Sequence, residues 1–338
     1  MEKNPSLIIK KNKKPRIVKV AMILAIIVLQ IVVTTFISAM LVFYGPFPVV
    51  RQMVVGTAMS SFNHQYIATL FLSDSQISKI LNSSVVGSVN TGQKISDIKI
   101  SSYDDKSIEK YDINGTKFKG YMLVVKDPLR VKVGYTSNLT KQGESTSNIA
   151  KDHNAVAAIN GGGFLDKSSS GSLWAGTGAY PDGFVLSQGK IIYQDVPDSK
   201  VVDVIAFDSK GKLIIGRHNL NDLKKLDISE AIKFGPSLIL NGKLAFEGDG
   251  GQGITARTAI GQRKDGAILL LVLDGRRLNM PGATLHDLQK IMLDYNAYNA
   301  GNLDGGSSTT MYYKGEVINS PCDPLGERTV ATALYVAP

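Results

Sequence analysis

Polar residues and glycines stand where several apolar runs of this 338-residue chain begin or end. The densest cluster is the stretch 302–310, where Asp304 is followed by two glycines and four hydroxyl residues. Glycines let backbone N–H groups approach a ligand closely, and N–H groups together with hydroxyls bind phosphate oxygens. The candidate phosphate ligands here are Gly305, Gly306, Ser307 and Ser308. A second cluster, Asn160, Gly161 and Gly162, follows the apolar run 156–159.

The apolar run 268–273 has charged residues near both of its ends. The segment Arg257-Thr258 precedes it, and Asp274-Gly275-Arg276 ends it. A guanidinium group can clamp a phosphate through two parallel hydrogen bonds. Asp274 and Asp304 supply the pair of carboxylates that glycoside chemistry commonly uses. With Asn160 they would also suit Ca²⁺ or Mg²⁺, although the pattern contains no two-metal ligand set and requires no cofactor.

Several familiar motifs do not fit. The Gly-Lys dipeptides at 189–190, 211–212 and 242–243 lack a following Ser or Thr, so none is a phosphate-binding P-loop. The spacing Gly248-x-Gly250-x-x-Gly253 matches a dinucleotide fingerprint but precedes no convincing helix start, which favours a loop. The four histidines are scattered and unpaired with cysteine, which argues against a zinc site. A Gly-x-Ser-x-Gly nucleophile elbow is also missing from the sequence.

Short apolar runs separated by turn residues predict strands from about residue 97 onward. The predicted strands are 121–125, 131–135, 156–159, 184–186, 191–193, 204–207, 213–215, 237–240 and 268–273. The last is entirely apolar, which is typical of a central strand buried on both faces. Asn241-Gly242, directly after the strand 237–240, predicts a hairpin turn. Helices are predicted after Thr284, with Asp287 completing a capping box, over 146–153, and within 49–81. We therefore expect an α+β fold with a mixed, largely antiparallel sheet and a few packed helices.

The N-terminal region predicts a single transmembrane helix in front of that domain. Residues 1–19 carry seven basic side chains against Glu2, and an uncharged run follows from 20 to 50. Its most apolar part, 20–44, is long enough to span a bilayer and too long for a cleaved signal peptide. Basic residues stay on the cytoplasmic side, so the C-terminal part is predicted to be extracytoplasmic. The predicted segments are a cytoplasmic tail 1–19, a transmembrane helix 20–44, a membrane-proximal stalk or linker 45–95 and a domain 96–338.

The net charge of +9 belongs mostly to that tail, which contributes +6 and leaves +3 for the other 319 residues. A nucleic-acid partner would require a basic stripe in the domain, and none is visible. The single cysteine, Cys322, excludes an intramolecular disulfide. Low cysteine with high lysine favours a bacterial surface protein.

The polar clusters and their order resemble the phosphodiester glycosidase family, the N-acetylglucosamine-1-phosphodiester alpha-N-acetylglucosaminidase-like proteins. Some bacterial relatives of that family are labelled exopolysaccharide biosynthesis proteins. The resemblance covers about residues 97–338, and the stretch 302–310 is its most specific part. The matching pieces are 157–162, 181–183, 235–238, 257–261, 274–276, 302–310, 327–328 and 332–336.

This resemblance implies hydrolysis of a sugar-1-phosphodiester. The predicted membrane tether favours cell-envelope polysaccharide or a teichoic-type polymer as the substrate. It assigns Arg257 to the phosphate, Asp304 or Asp274 to water activation, and Glu327 to a further acid or base role. The implied substrate-binding residues are Asn160, Gly161, Gly162, Thr258, Arg276, Gly305, Gly306, Ser307, Ser308 and Arg328. Two alternatives stay open from the sequence: a non-catalytic module that binds wall glycan or phosphate, and a glycosyl or phosphoglycosyl transferase acting on exopolysaccharide.

Overall fold

A computed structural model describes residues 14–59, 65–83, 92–165, 177–277, 279–323 and 325–338. The chain divides into two units, Met1–Arg51 and Gln52–Pro338. Most of the predicted basic tail 1–19, and residues 60–64 and 84–91 of the predicted stalk or linker 45–95, lie outside the described residues.

The first unit is dominated by the helix α1, Lys14–Tyr44. Within it, Val18–Tyr44 has 27 residues with a hydropathy of 2.8, and it is the one helix among the described residues that is long and apolar enough to span a membrane. At 1.5 Å per residue this segment is about 40 Å long, more than the roughly 30 Å hydrocarbon core of a bilayer. Its orientation in a membrane remains a prediction, and so does its retention as an uncleaved helix.

In the region 49–81, expected to be helical, the described residues form the helices α2 (Pro48–Met59), α3 (Tyr66–Thr69) and α4 (Asp74–Ser83). A capping box explains the start of α4. The Ser73 hydroxyl accepts a hydrogen bond from the Gln76 backbone N–H at 3.4 Å, and the Gln76 side chain accepts one from the Ser73 backbone N–H at 2.9 Å. The Ser73-x-x-Gln76 spacing that marks the start of α4 is therefore visible in the sequence.

The second unit also contains the remaining helices and all the strands that the structure describes. The helices are α5 (Thr146–Asp152), α6 (Leu220–Lys225) and α7 (Leu285–Asp294). The strands are β1 (Ile108–Asn114), β2 (Lys119–Val125), β3 (Val131–Tyr135), β4 (Glu144–Ser145), β5 (Ala157–Asn160), β6 (Phe164–Leu165), β7 (Tyr180–Pro181), β8 (Phe184–Ser187), β9 (Lys190–Gln194), β10 (Val202–Asp208), β11 (Leu213–His218), β12 (Ile228–Lys233), β13 (Ser237–Leu240), β14 (Lys243–Leu244), β15 (Arg257–Arg263), β16 (Ile268–Leu273), β17 (Ala297–Leu303), β18 (Met311–Tyr313), β19 (Glu316–Val317), β20 (Thr329–Val330) and β21 (Thr332–Val336).

These strands form three main antiparallel sheets, which confirms the α+β fold class. The largest has the order β1-β2-β16-β15-β17-β13-β14, and two five-stranded sheets have the orders β11-β10-β12-β8-β9 and β19-β18-β5-β21-β3. Every residue of β16 is fully buried between β2 and β15, as its apolar sequence predicted. The hairpin predicted at Asn241-Gly242 joins β13 to β14, and both residues have positive φ, which favours Asn and Gly there.

Helix α7 packs on the largest sheet through Leu285, Leu288 and Met292, all fully buried. Its predicted capping box is confirmed. The Asp287 carboxylate accepts from the Thr284 backbone N–H at 2.9 Å, and the Thr284 hydroxyl accepts from the Asp287 N–H at 3.1 Å. This fixes the point at which the chain enters the helix that leads into β17.

The antiparallel pairing gathers the polar strand ends at one edge of the large sheet. Arg257, the first residue of β15, pairs with Leu273, the last residue of β16. Its neighbour Thr258 pairs with Leu303, the last residue of β17. The residues that follow β16 and β17 therefore meet the start of β15, and Asn160 at the end of β5 joins them from the adjacent sheet.

Candidate active site

Asn160 connects three chain segments beneath the site. Its side-chain N–H donates to the backbone carbonyl of Asp304 at 2.6 Å. Its carbonyl oxygen accepts from the Thr258 hydroxyl at 2.7 Å and from the Thr310 backbone N–H at 3.2 Å. Asn160 and Thr258 are both fully buried. Their described contacts fix the stretch 304–310 in place.

The stretch 304–310 is held by its own backbone as well. The Asp304 N–H donates to the Gly161 carbonyl at 3.2 Å, and the Gly306 N–H donates to the Ala256 carbonyl at 2.7 Å. A Cβ on Gly305 would lie 2.8 Å from that same carbonyl oxygen, so a larger residue would force the strand end outward. The glycines predicted to cradle a phosphate are thus needed first for this close backbone approach.

Gly161 and Gly162 play a similar packing role. A Cβ on Gly161 would lie 2.5 Å from the Thr332 hydroxyl, and one on Gly162 would lie 2.8 Å from the Lys233 carbonyl. The Gly162 N–H donates to the Thr332 hydroxyl at 3.0 Å. Their predicted contact with substrate remains a prediction.

Asp304 is half-buried and lines a pocket at the end of β17. Burial raises the pKa of this carboxyl, while Ser308, Arg328 and the Gly305 N–H favour its ionised form. The Gly305 N–H donates to one carboxyl oxygen at 2.9 Å. A carboxyl group with a raised pKa in a pocket suits proton transfer.

Arg328 and Arg276 supply positive charge close to Asp304. One Arg328 guanidinium nitrogen donates to the Ser307 hydroxyl at 3.2 Å, and the group lies 4.9 Å from the centre of the Phe164 ring. Arg276 Nε donates to the Thr255 hydroxyl at 2.8 Å, and burial lowers the pKa of Arg276. Arg276 Nη2 is buried and has no hydrogen-bond partner in the part of the chain that the structure describes.

Arg257, predicted to bind the phosphate, lines the pocket and donates four hydrogen bonds to neighbouring residues. Its guanidinium donates to the carbonyls of Ala283, Gln252 and Gly253 at 2.7–3.1 Å and to the Gln252 side chain at 3.0 Å. Burial and the nearby Arg276 lower the pKa of Arg257 to about 10. Four hydrogen bonds to protein leave one N–H of the five on a guanidinium for a ligand.

Asp274 and Glu327 each bind a structural partner. The Asp274 carboxylate accepts from the Asn319 side chain at 2.9 Å and from the Ser320 N–H at 3.0 Å, and burial raises its pKa. Glu327 accepts from the N–H of Ser147 at 3.0 Å and also binds the Ser147 hydroxyl. Ser147 lies in the first turn of α5, where the orphan N–H groups of a helix favour an anion. The catalytic roles of these two acids remain predictions.

The pocket beside Asp304 has a volume of about 250 Å³. It is lined by Gly56, Met59, Phe234, Gln252, Thr255, Arg257, Asn302, Leu303, Asp304, Gly305, Gly306 and Arg328. The predicted site thus contributes Arg257, Asp304, Gly305, Gly306 and Arg328 to one pocket. Asp274, Glu327 and the buried Asn160 are not among its described lining residues.

Some lining residues were missed by sequence reasoning. Phe234 directly precedes the Gly235-Pro236 segment, whose carbonyl at Gly235 accepts from the Asn302 side chain at 3.0 Å. That neighbouring motif could have pointed to Phe234. Met59 and Gly56 carry no such signal, because they lie about 190 residues or more before the residues they face. Among the described residues, no group of three or more His, Cys, Asp or Glu could hold a metal ion.

Comparison with known proteins identifies relatives of this chain. One stretch of 81 residues is 38% identical to the SPbeta prophage-derived uncharacterized protein YomE of Bacillus subtilis, covering 24% of this chain and 12% of that protein. Another of 70 residues is 37% identical to N-acetylglucosamine-1-phosphodiester alpha-N-acetylglucosaminidase of Bos taurus, covering 21% of this chain and 13% of that protein. The alignments therefore span about an eighth of the length of these curated relatives.

A solved structure shares the fold. It is the zebrafish N-acetylglucosamine-1-phosphodiester alpha-N-acetylglucosaminidase catalytic domain, described as auto-inhibited by its pro-peptide. The match has a TM-score of 0.58 at 22% identity and covers 73% of this chain and 91% of that one. Residues 153–337, more than half of the chain, match the family model described as phosphodiester glycosidase. The protein therefore belongs to the phosphodiester glycosidase family.

Proposed function

We propose that this protein hydrolyses the bond between a sugar C1 and the oxygen of a phosphodiester, releasing free sugar and a phosphomonoester. The observation that carries the proposal is that the Asp304 carboxyl and the Arg328 guanidinium line one pocket. An acid and a fixed cation at one site match the two needs of this reaction. Water must be activated, and the negative charge that develops on the leaving phosphate must be stabilised.

Asp304 is assigned to the water. Its ionised carboxylate takes one proton from water while the water oxygen bonds to C1. The C1–O bond breaks, and its electron pair leaves with the bridging oxygen on the phosphate. Because a phosphomonoester is a good leaving group, the reaction needs less assistance from a general acid than an ordinary glycoside does. This explains why a second carboxyl group in the pocket is not required.

Arg328 and Arg276 are assigned to the phosphate. Arg328 lines the pocket. Arg276 is not among the described lining residues, but its buried Nη2 has no hydrogen-bond partner in the described part of the chain and its charge acts on the Asp304 carboxyl. Ser307 connects Arg328 to the loop after Asp304. This revises the assignment that the sequence favoured, because Arg257 uses most of its donors to hold the loop 252–253. Asn160 and Thr258 then position the Asp304 backbone from below.

The remaining predictions from the sequence complete the proposal. The α1 helix anchors the protein in a membrane, with the second unit on the extracytoplasmic side. The substrate is then a sugar-1-phosphodiester of the cell envelope, in a polysaccharide or a teichoic-type polymer. The named activity of the bovine relative supports N-acetylglucosamine as the sugar of the first test substrate.

The test is release of free N-acetylglucosamine from N-acetylglucosamine 1-(methyl phosphate) by the full chain in detergent. We expect turnover by the wild type and by the control Asp112→Asn, whose carboxylate is exposed on β1. Asp304→Asn should lower the rate at least a hundredfold, a typical contribution of a general base. Full activity of Asp304→Asn would refute the assignment. Binding without turnover in the wild type would favour the glycan-binding alternative, and a sugar-acceptor product would favour the transferase.

A further inference from the structure

Helix α2 forms one wall of the pocket, although it lies outside the segment that matches the family model. Val55 is fully buried, and Gly56 and Met59 line the pocket opposite the strand ends. A Cβ added to Gly56 would lie 3.4 Å from the Gln252 backbone, so the helix packs closely on that loop. Gln252 is in turn bound by Arg257 through both its side chain and its carbonyl. The wall is thus a connected part of the site.

The same helix begins close to the predicted membrane helix in the chain. Helix α1 ends at Tyr44, α2 begins at Pro48, and the second unit begins at Gln52. Only residues 45–51, seven residues, separate the apolar helix from the globular unit. Residues 45–51 therefore add little chain length between the apolar helix and the second unit.

Chain length sets an upper limit on how far the pocket wall lies from the end of the apolar helix. The four steps from Tyr44 to Pro48 span at most about 14 Å when fully extended. The eight helical steps from Pro48 to Gly56 add about 12 Å. Gly56 is therefore at most about 26 Å from Tyr44, whatever the orientation of the two units. Since the headgroup layer occupies about 5–8 Å of this on each side of a bilayer, the site works close to the membrane surface.

We propose that the natural substrate is a membrane lipid whose headgroup is a glycosyl-1-phosphodiester. This rests on the proposed function above. The short tether keeps the site near the membrane surface, where lipids diffuse to it within the bilayer plane, and this favours a lipid over a polymer as the cell-envelope substrate. The half-buried Met59 and Phe234 add apolar surface to a pocket of about 250 Å³, which suits a single sugar phosphate followed by an apolar chain. The adaptable Met59 thioether is well suited to such a chain.

The reaction on this substrate is the same hydrolysis. The sugar C1–O bond breaks, the water oxygen bonds to C1, and Asp304 receives a proton from water. The lipid keeps the bridging oxygen and remains in the bilayer as a lipid phosphate. The released sugar is water-soluble, so it leaves the membrane surface.

The test uses the full chain reconstituted into phosphatidylcholine vesicles and two probes with one headgroup. The soluble probe is N-acetylglucosamine 1-(methyl phosphate), and the lipid probe is N-acetylglucosamine 1-(hexadecyl phosphate). The lipid probe is placed either in the vesicles that carry the protein or in separate vesicles. We expect sugar release at least tenfold faster when probe and protein share a vesicle, because only then is the probe confined near the site.

An insertion variant tests the reach of the tether. Twenty Gly/Ser residues between Pro46 and Phe47, both exposed, lengthen the connection from 7 to 27 residues. The effective concentration of the site at the surface then falls by up to about eightfold, from the −3/2 power of linker length. The matched control carries the same insertion between Ser6 and Leu7, before the apolar helix. The methyl phosphate probe should be hydrolysed equally by all three proteins.

The outcomes separate the two proposals. If neither probe is hydrolysed by the wild type, the proposed function fails, and the lipid substrate fails with it. If the methyl probe is hydrolysed but the lipid probe reacts equally from shared and separate vesicles, the lipid proposal is overturned while the proposed function stands. A shared-vesicle rate that the insertion after Pro46 leaves unchanged would overturn it as well.

Discussion

The hydrogen bonds of Asn160 give a stability change whose size can be worked out from the structure. Asn160→Ala leaves three buried groups without their partner: the Asp304 carbonyl, the Thr258 hydroxyl and the Thr310 N–H. At about 1–2 kcal/mol for each unsatisfied group, the free energy of unfolding should fall by about 3–6 kcal/mol. That is a large fraction of the roughly 5–15 kcal/mol that stabilises a typical domain.

Thr258→Val provides a milder probe of the same network. It removes one donor while the Asn160 oxygen still accepts from the Thr310 N–H, so it should cost about 1 kcal/mol. In a double-mutant cycle with Asn160→Ala, the two changes should couple by about 1 kcal/mol, because they share one hydrogen bond. If Asn160→Ala does not fold, the Thr258→Val measurement still tests the network.

The assay is urea unfolding of the full chain in detergent, followed by circular dichroism. The control is Asn138→Ala, since this exposed side chain bonds to Ser137 alone in the described contacts and its loss should cost less than about 0.5 kcal/mol. Asn160→Ala should also lower the turnover number, because the Asp304 backbone is no longer held. A loss of stability as small as that of Asn138→Ala would refute the reasoning.

Three further predictions concern the acid, the helix cap and the topology. Burial raises the pKa of Asp304 above its ordinary 3.8. Because the general base must be ionised, kcat/KM should rise with pH through a midpoint above 3.8. A midpoint at or below 3.8 would contradict this. Glu327→Ala should lower stability by about 1–3 kcal/mol through the lost Ser147 bonds, while turnover per folded protein stays within tenfold; a hundredfold loss of turnover at unchanged stability would instead support a catalytic Glu327. The topology is tested in a Cys322→Ser background with an impermeant maleimide. Leu325→Cys, at a side chain that is 96% exposed, should react on intact cells, whereas Ser6→Cys should react only after permeabilisation. The reverse pattern would place the domain inside the cell.

Local patterns predicted much of the fold. The apolar run of β16, the Asn241-Gly242 turn and the Thr284 capping box each depend on neighbouring residues, and all three are confirmed. The meeting of Arg257 and Asp304 follows from the antiparallel register of β15 and β17, whereas Asn160 comes from a separate sheet whose placement no local pattern predicts. The helix starts within 49–81 were not predicted individually, although the Ser73-x-x-Gln76 capping box marks the start of α4.

Long-range contacts set the limit of what the sequence could predict. Glu327 meets Ser147 across 180 residues, and nothing local distinguishes a helix-capping acid from a catalytic one. Arg257 has the residue type of a phosphate clamp, but whether its donors are already satisfied depends on how the loop 252–253 folds. The wall formed by Gly56 and Met59 is equally invisible, since it joins the membrane-proximal segment to loops far along the chain.

The central claim is that water attacks the sugar carbon and not the phosphorus. The most direct measurement is hydrolysis of N-acetylglucosamine 1-(methyl phosphate) by the full chain in water enriched with ¹⁸O, with mass analysis of the methyl phosphate. Cleavage of the C1–O bond predicts free sugar together with methyl phosphate that carries no ¹⁸O. Methyl phosphate labelled with ¹⁸O, or no hydrolysis at all, would contradict the account.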